Sequence, residues 1–352
     1  MKKLIAGLLA AAVVSFAAFA DEEGGLKVSG FLRGGMSDKS TEDAVYDTSK
    51  WMQGGYFGGG SRLRVNVDYT KANGGVTFRY QHTGDLTNLG LDDVAKNEVI
   101  KWAMAYANFA DGQIVAEAGK LRDRYTRTDG WEDSNIDGGK GLRLVFAPQV
   151  AKGLVLTAGA SDKYAEKYAE TEKDSKKGQL KFNKKVFNFS AKYGNEAFYV
   201  VGGASLANYF YGAAGLTAVE NLSLVAEVYH DATDKTKAEN GDKAATELVF
   251  WAEYTGVEKL LVGAYSYVDL CDGEYDAKIT PAVSYDVTDW VKLSAESTIY
   301  LDSKDETDTY ATISPAVTFK ASPKATATVS GLISTDDKQT PHAFTAGVRY
   351  NF

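Results

Sequence analysis

The 352-residue chain has one cysteine (Cys271), five prolines and three histidines. A lone thiol forms no internal disulfide, so an exported chain of this kind is held by its secondary structure rather than by cross-links. Scarce proline suits long hydrogen-bonded strands, because proline brings no N–H to a ladder. His82, His230 and His342 have no serine or carboxylate at a catalytic spacing. No metal-ligand cluster or phosphate-cradling loop is evident, and Gly58 to Gly60 read as a turn after Tyr56-Phe57. The expectation is no enzyme, no metal and no cofactor. Basic residues are outnumbered, 39 against 47 acidic, which argues against nucleic acid as a partner.

Long apolar runs are lacking too, with one exception at the start. Lys2 and Lys3 precede the apolar stretch Leu4 to Phe19, and Ala18-Phe19-Ala20 presents small residues for a signal peptidase. Residues 1–20 therefore read as a cleaved export signal, and 21–352 as one mature domain. Lys2 and Lys3 leave with the signal, so the mature balance is 37 basic to 47 acidic, or −10. With no second run of about 20 apolar residues, an exported chain that resides in a membrane must cross it as a closed β-barrel.

Glycine (35) and tyrosine plus phenylalanine (21 and 16) are abundant, as paired strands with aromatic girdles require. Strict alternation runs through the chain. Leu63, Val65, Val67 and Tyr69 oppose Arg62, Arg64, Asn66 and Asp68, and Val291, Leu293, Ala295 and Ile299 oppose Lys292, Ser294, Glu296 and Thr298. A period of two sends the two sets to opposite faces, one fit for lipid and the other for water. Eighteen such segments can be placed, from 26–34 to 342–352, most of about 9–12 residues, the span of a tilted transmembrane strand.

Connections after even-numbered segments are short, such as Gly194-Asn195 and Thr288-Asp289. Most of those after odd-numbered ones are long: 35–60, 85–98, 121–139, 162–184 and 232–244. Segments at 258–268 and 276–287 leave 269–275 as one more loop on that rim. Leu206-Ala207 is too short for the pattern, but merging the strands there would break the even parity, so they are kept separate, with 16 as the alternative count. The expected fold is all-β, a transmembrane antiparallel up-and-down barrel of about 18 strands.

Ile279-Thr280-Pro281-Ala282-Val283-Ser284-Tyr285 recurs as Ile313-Ser314-Pro315-Ala316-Val317-Thr318-Phe319, a hairpin repeat that puts Pro281 and Pro315 at bulges or near a rim. Tyr69, Trp102, Trp251 and Trp290 are candidate interface anchors, Trp251 the least secure because it shares parity with Glu247 and Glu253.

The last segment, Ala346-Gly347-Val348-Arg349-Tyr350-Asn351-Phe352, ends on phenylalanine with apolar residues at alternate positions. It resembles the terminal strand of Gram-negative outer-membrane proteins. That resemblance implies an assembly signal at Phe344, Val348, Tyr350 and Phe352, read by the barrel-assembly machinery. The opening segment, Leu26 to Gly34, resembles the first strand of the general porin family. Ala116-Glu117-Ala118-Gly119-Lys120 leads into a third loop at 121–139, and in that family the third loop folds inward and narrows the barrel. The chain departs from the family in its count of eighteen rather than sixteen, and in lacking a compact acidic motif in that loop.

All nine arginines lie outside 144–348. Arg33, Arg62, Arg64, Arg79, Arg143 and Arg349 have inward parity and form a candidate basic wall, faced by third-loop acids Asp129, Glu132, Asp133 and Asp137. Opposed charges across a constriction would set a transverse field. Inward arginines can equally pair with inward acids such as Asp68, Glu117, Glu227, Glu247, Glu253 and Glu296 merely to be satisfied.

The resulting expectation is an outer-membrane porin of a diderm bacterium, a water-filled channel for passive diffusion of small hydrophilic solutes and ions. Its partners would be membrane lipid, lipopolysaccharide, the assembly machinery and those solutes, with a homotrimer left open. The alternatives are a surface adhesin or structural barrel without an open channel, and a soluble secreted all-β protein.

Overall fold

A computed structural model describes residues 25–37, 62–83, 100–128, 136, 138–164, 183–302, 309–336 and 342–352. The residues expected to form the export signal, and Asp129, Glu132, Asp133 and Asp137, lie outside them.

Eighteen strands make one sheet. In chain order they are β1 (Gly25–Ser37), β2 (Arg62–Lys71), β3 (Gly74–Thr83), β4 (Ile100–Phe109), β5 (Ile114–Leu121) and β6 (Gly139–Phe146). There follow β7 (Leu154–Ser161), β8 (Phe187–Gly194), β9 (Phe198–Ser205), β10 (Tyr209–Leu216), β11 (Leu222–Asp231) and β12 (Ala245–Val257). The last six are β13 (Leu260–Cys271), β14 (Glu274–Thr288), β15 (Val291–Asp302), β16 (Tyr310–Ser322), β17 (Ala325–Ser334) and β18 (Ala343–Asn351). Each pairs antiparallel with its sequence neighbours, and β1 pairs with both β2 and β18, which closes the ring. A short helix, α1 (Asp234–Glu239), lies between β11 and β12. Among the described residues no helix is long and apolar enough to cross a membrane.

Closure depends on one close approach. The Gly30 N–H donates to the Phe352 carbonyl at 3.0 Å, and the Phe352 N–H donates back at 3.1 Å. A Cβ on Gly30 would lie 2.0 Å from the Arg64 carbonyl oxygen and 2.8 Å from the Phe352 ring. Only hydrogen fits there, so the terminal aromatic ring covers the glycine of the first strand.

The outer face is oily, with Leu142, Leu144, Phe210, Phe250, Ile333 and Val348 among its exposed side chains. Near the short-turn rim the same face carries Tyr254, Tyr285, Trp290, Phe319, Tyr350 and Phe352, a girdle suited to a membrane–water boundary. Trp290 stacks on Phe319 with centroids 6.2 Å apart. Phe344, Val348, Tyr350 and Phe352 all point outward and exposed.

Three expectations need correction. The connection at 269–275 is a two-residue hairpin, Asp272-Gly273, with both residues at positive φ (56° and 83°). Asp-Gly is the pair that a tight hairpin with this twist favours, and it extends β13 and β14 to Cys271 and Glu274. Pro281 and Pro315 sit in mid-strand rather than at bulges. Each faces outward and leaves one side of its ladder unpaired, against β15 and β17 respectively, without shifting the register. Trp102 and Trp251 belong to the inner face and are not interface anchors. The doubtful hairpin at Leu206 is real: β9 and β10 pair through Tyr209↔Ser205, and Asn208 takes the left-handed conformation (φ 68°) that so tight a connection needs.

Candidate functional site

The inner face divides into three sectors. On β14 to β18 it is lined by hydroxyl groups, paired across strands: Thr280 with Thr298 (3.0 Å), Thr318 with Thr328 (3.0 Å) and Ser330 with Thr345 (2.5 Å). On β9 to β13 it is aromatic, with Tyr199, Tyr209, Tyr211, Tyr229 and Trp251 buried around Val201, Val225 and Val249. On β18 and β1 to β6 it is basic.

In the basic sector, Arg349, Arg33 and Arg62 stand abreast in register across β18, β1 and β2. Like charges directly opposite repel unless something separates or solvates them. Two residues along β1 from Arg33, Phe31 takes two guanidinium groups on its ring, Arg64 at 4.9 Å and Arg349 at 4.3 Å. Trp102 on β4 acts likewise, with Arg79 at 3.7 Å and Arg122 at 4.8 Å. The Nε groups of Arg64 and Arg79 donate to the amide oxygens of Gln81 (2.8 Å) and Asn66 (2.6 Å). Asp68 accepts from Thr77 at 2.6 Å. Neither Arg64 nor Arg79 forms an ion pair among the described residues.

Arg143 differs from the other five arginines. Its side chain is wholly buried and bridges to Glu117, also wholly buried, at 2.5 Å. It donates to the Arg122 carbonyl at 2.9 Å as well. The second oxygen of Glu117 receives Arg124, and the Tyr125 hydroxyl at 2.9 Å. Burial, then the neighbouring Glu117 carboxylate, push the Tyr125 phenol from 10.0 up to about 12, so it remains a neutral donor. The Arg143–Glu117 pair thus ties the start of the third loop to β5 and β6, and its charge faces protein rather than the open interior.

From there the loop runs along the inner wall. The Arg127 carbonyl accepts from Lys192 Nζ on β8 at 3.0 Å. Thr128 Oγ1 donates to Glu227 on β11, which is buried and also accepts from Tyr229 at 2.7 Å. Ile136, fully buried, packs into the tyrosine sector, where a Cβ on Gly203 would lie 3.2 Å from it. The described residues of the third loop therefore reach from β5 to β11, a third of the way around the ring.

Sequence reasoning placed Glu117 and Glu227 on the inner face but did not pair them with the loop. It also missed Lys101. Arg79 pairs with Trp102 while Tyr80 pairs with Ile100, so Lys101 is the extra residue of a bulge, and it lines the same cavity as Trp102. The histidines occupy rim positions: His230 Nδ1 lies 3.0 Å from Thr246 Oγ1, and His342 Nδ1 accepts from the Ser334 N–H at 3.0 Å. Among the described residues no group of three or more His, Cys, Asp or Glu side chains is placed to hold a metal ion.

A closed antiparallel ring of this size, with an oily outer face, gives the chain a porin-like β-barrel fold. Among solved structures it is similar to OprD of Pseudomonas aeruginosa (TM-score 0.53, 10% identity, 94% of this chain and 95% of that one). A variant of OccD1 (OprD) gives a TM-score of 0.54 at 11% identity over 94% and 96% of the two chains. A structure described as porin gives 0.50 at 11% identity over 93% and 100%. Identities this low establish the fold alone. No family model and no curated protein matches the chain.

Proposed function

We propose that this barrel is an outer-membrane channel for the passive diffusion of small hydrophilic solutes and ions. The observation that carries the reading is the charged and hydroxyl-bearing inner face of a closed eighteen-stranded ring. Eight strands are filled by their own side chains, whereas sixteen or more leave room for water. A polar inner face on so wide a ring has water as its natural filling. Likeness in fold to porin and OprD adds support. In this reading the third loop, held by Glu117 and Glu227, is the narrowing element, and the basic wall faces the solute path. Phe344, Val348, Tyr350 and Phe352 form the strand that the assembly machinery would recognise.

The test is a planar-bilayer recording of the purified barrel with a series of neutral solutes of rising size. Discrete conductance steps, blocked above a defined solute radius, are expected. A barrel that inserts and gives no steps would return the chain to a surface-binding or structural role.

A further inference from the structure

Between the inner faces of β2 to β6, the start of the third loop and Asp162-Lys163 lies a cavity of about 850 Å3. Among the described residues its lining carries eight basic side chains and two acidic ones, Asp123 and Asp162. Both carboxylates already have partners: Asp162 accepts from the Lys140 N–H at 2.6 Å, and Asp123 from Thr126 at 3.1 Å. Arg64 and Arg79 have no carboxylate partner among the described residues, only amide oxygens at Nε and aromatic rings against their faces. Those contacts fix the guanidinium planes and leave the terminal NH2 groups for something else. Lys101, delivered by the bulge in β4, and Arg122 and Arg127 from the third loop line the same space.

Two guanidinium groups fixed side by side with no carboxylate in contact among the described residues, Arg64 and Arg79, repel each other unless an anion relieves them. Guanidinium forks held in place match oxyanions, because two parallel N–H groups meet two oxygens with little ordering left to do. From this geometry we infer that the cavity is a binding site for a compact multivalent oxyanion, one bearing phosphoryl or several carboxylate groups. It holds the anion between the Arg64–Arg79 wall and the base of the third loop. The inference deepens the channel reading and rests on it only for the route by which the anion arrives. The site differs from the Arg349–Arg33–Arg62 row, none of which lines the cavity.

The experiment is calorimetric titration of the full detergent-extracted barrel with inorganic pyrophosphate, beside bilayer recordings of the same preparation. Saturable binding that weakens as salt rises is expected. Arg64→Gln and Arg79→Gln should each weaken it about tenfold, the loss of one charge-assisted fork. Retained heat-modifiable migration would show that the variants are folded. Absence of saturable heat, or affinity unchanged in the Arg64→Gln/Arg79→Gln double variant, overturns the site. A barrel that conducts but does not bind keeps the channel and loses the site. One that binds without conducting keeps the site and loses the channel.

Discussion

On β2 to β5 the inner face presents Arg64, Arg79, Trp102 and Glu117, whereas on β9 to β12 it presents Tyr199, Tyr211, Tyr229 and Trp251. Both regions meet the same loop. The basic wall meets it at the loop's origin, through the Arg143–Glu117 bridge. The tyrosine wall meets its far end, through Ile136 and the Thr128–Glu227 contact. A buried ion pair costs much desolvation and adds little net stability over an apolar substitute, but breaking it by removing one partner is severe. Apolar packing loses free energy in proportion to the volume removed. One end of the loop is thus held by charge and the other by shape, and the two should fail differently.

The largest effect should come from the charged end. Arg143→Ala leaves Glu117 buried without its main partner, at about 3–5 kcal/mol. The midpoint of urea-driven unfolding in lipid vesicles should fall accordingly, whereas Arg349→Ala, half-exposed on the same wall, should barely move it. Equal shifts in the two variants would show that Arg143 has no anchoring role.

Next comes the apolar end. Ile136→Ala removes a fully buried side chain from the tyrosine sector and should cost about 2–5 kcal/mol of loop docking. The barrel itself should survive, and the readout is increased open-channel current noise with an unchanged unfolding midpoint. A quiet channel in this variant would mean that the far end of the loop is held elsewhere.

The contrast between outer and inner faces can be sharpened on neighbouring strands. Val283→Arg, outward on β14, should destabilise by about 2–4 kcal/mol if it lies near the bilayer centre. Thr298→Arg, inward on β15, should leave vesicle stability near that of the parent and alter ion selectivity instead. Comparable destabilisation by both would remove the distinction between the faces.

The fold was legible because period-two alternation survives in the most informative strands. In β2 the polar residues Arg62, Arg64, Asn66 and Asp68 all point inward, as their spacing requires. The walls around the third loop were harder to read for a physical reason. In β9 the run Phe198-Tyr199-Val200-Val201 is apolar on both faces, since Ile136 covers the inner one. Loss of alternation there was itself the signal of an inward-docked element. Trp102 and Trp251 resemble girdle residues by type; parity with Glu247 and Glu253 already pointed Trp251 inward, whereas for Trp102 the pairing with Arg79 places it inside. Arg143 matches the other arginines by parity; its bridge to Glu117 depends on the register of β5 against β6 across the long third loop, which residue spacing leaves open.

The smallest effect concerns Tyr125. Its hydrogen bond to Glu117 is worth about 0.5–1.5 kcal/mol, so Tyr125→Phe should loosen the loop slightly. Because its folded pKa is raised from 10.0 to about 12, the contribution is complete below pH 10 and is lost as pH rises toward 12. Current noise should therefore differ between parent and variant at pH 8 and converge by pH 12. A constant difference across that window would assign the effect to another group.

Thiol labelling along β15 tests the two-faced ring most directly. In a Cys271→Ser background, single cysteines at successive positions from Val291 to Leu301 would be exposed to a charged, membrane-impermeant maleimide in lipid vesicles. The account predicts that positions 292, 294, 296, 298 and 300 react while the intervening ones are protected by lipid. Labelling without that period of two, or protection of the even set, would contradict it.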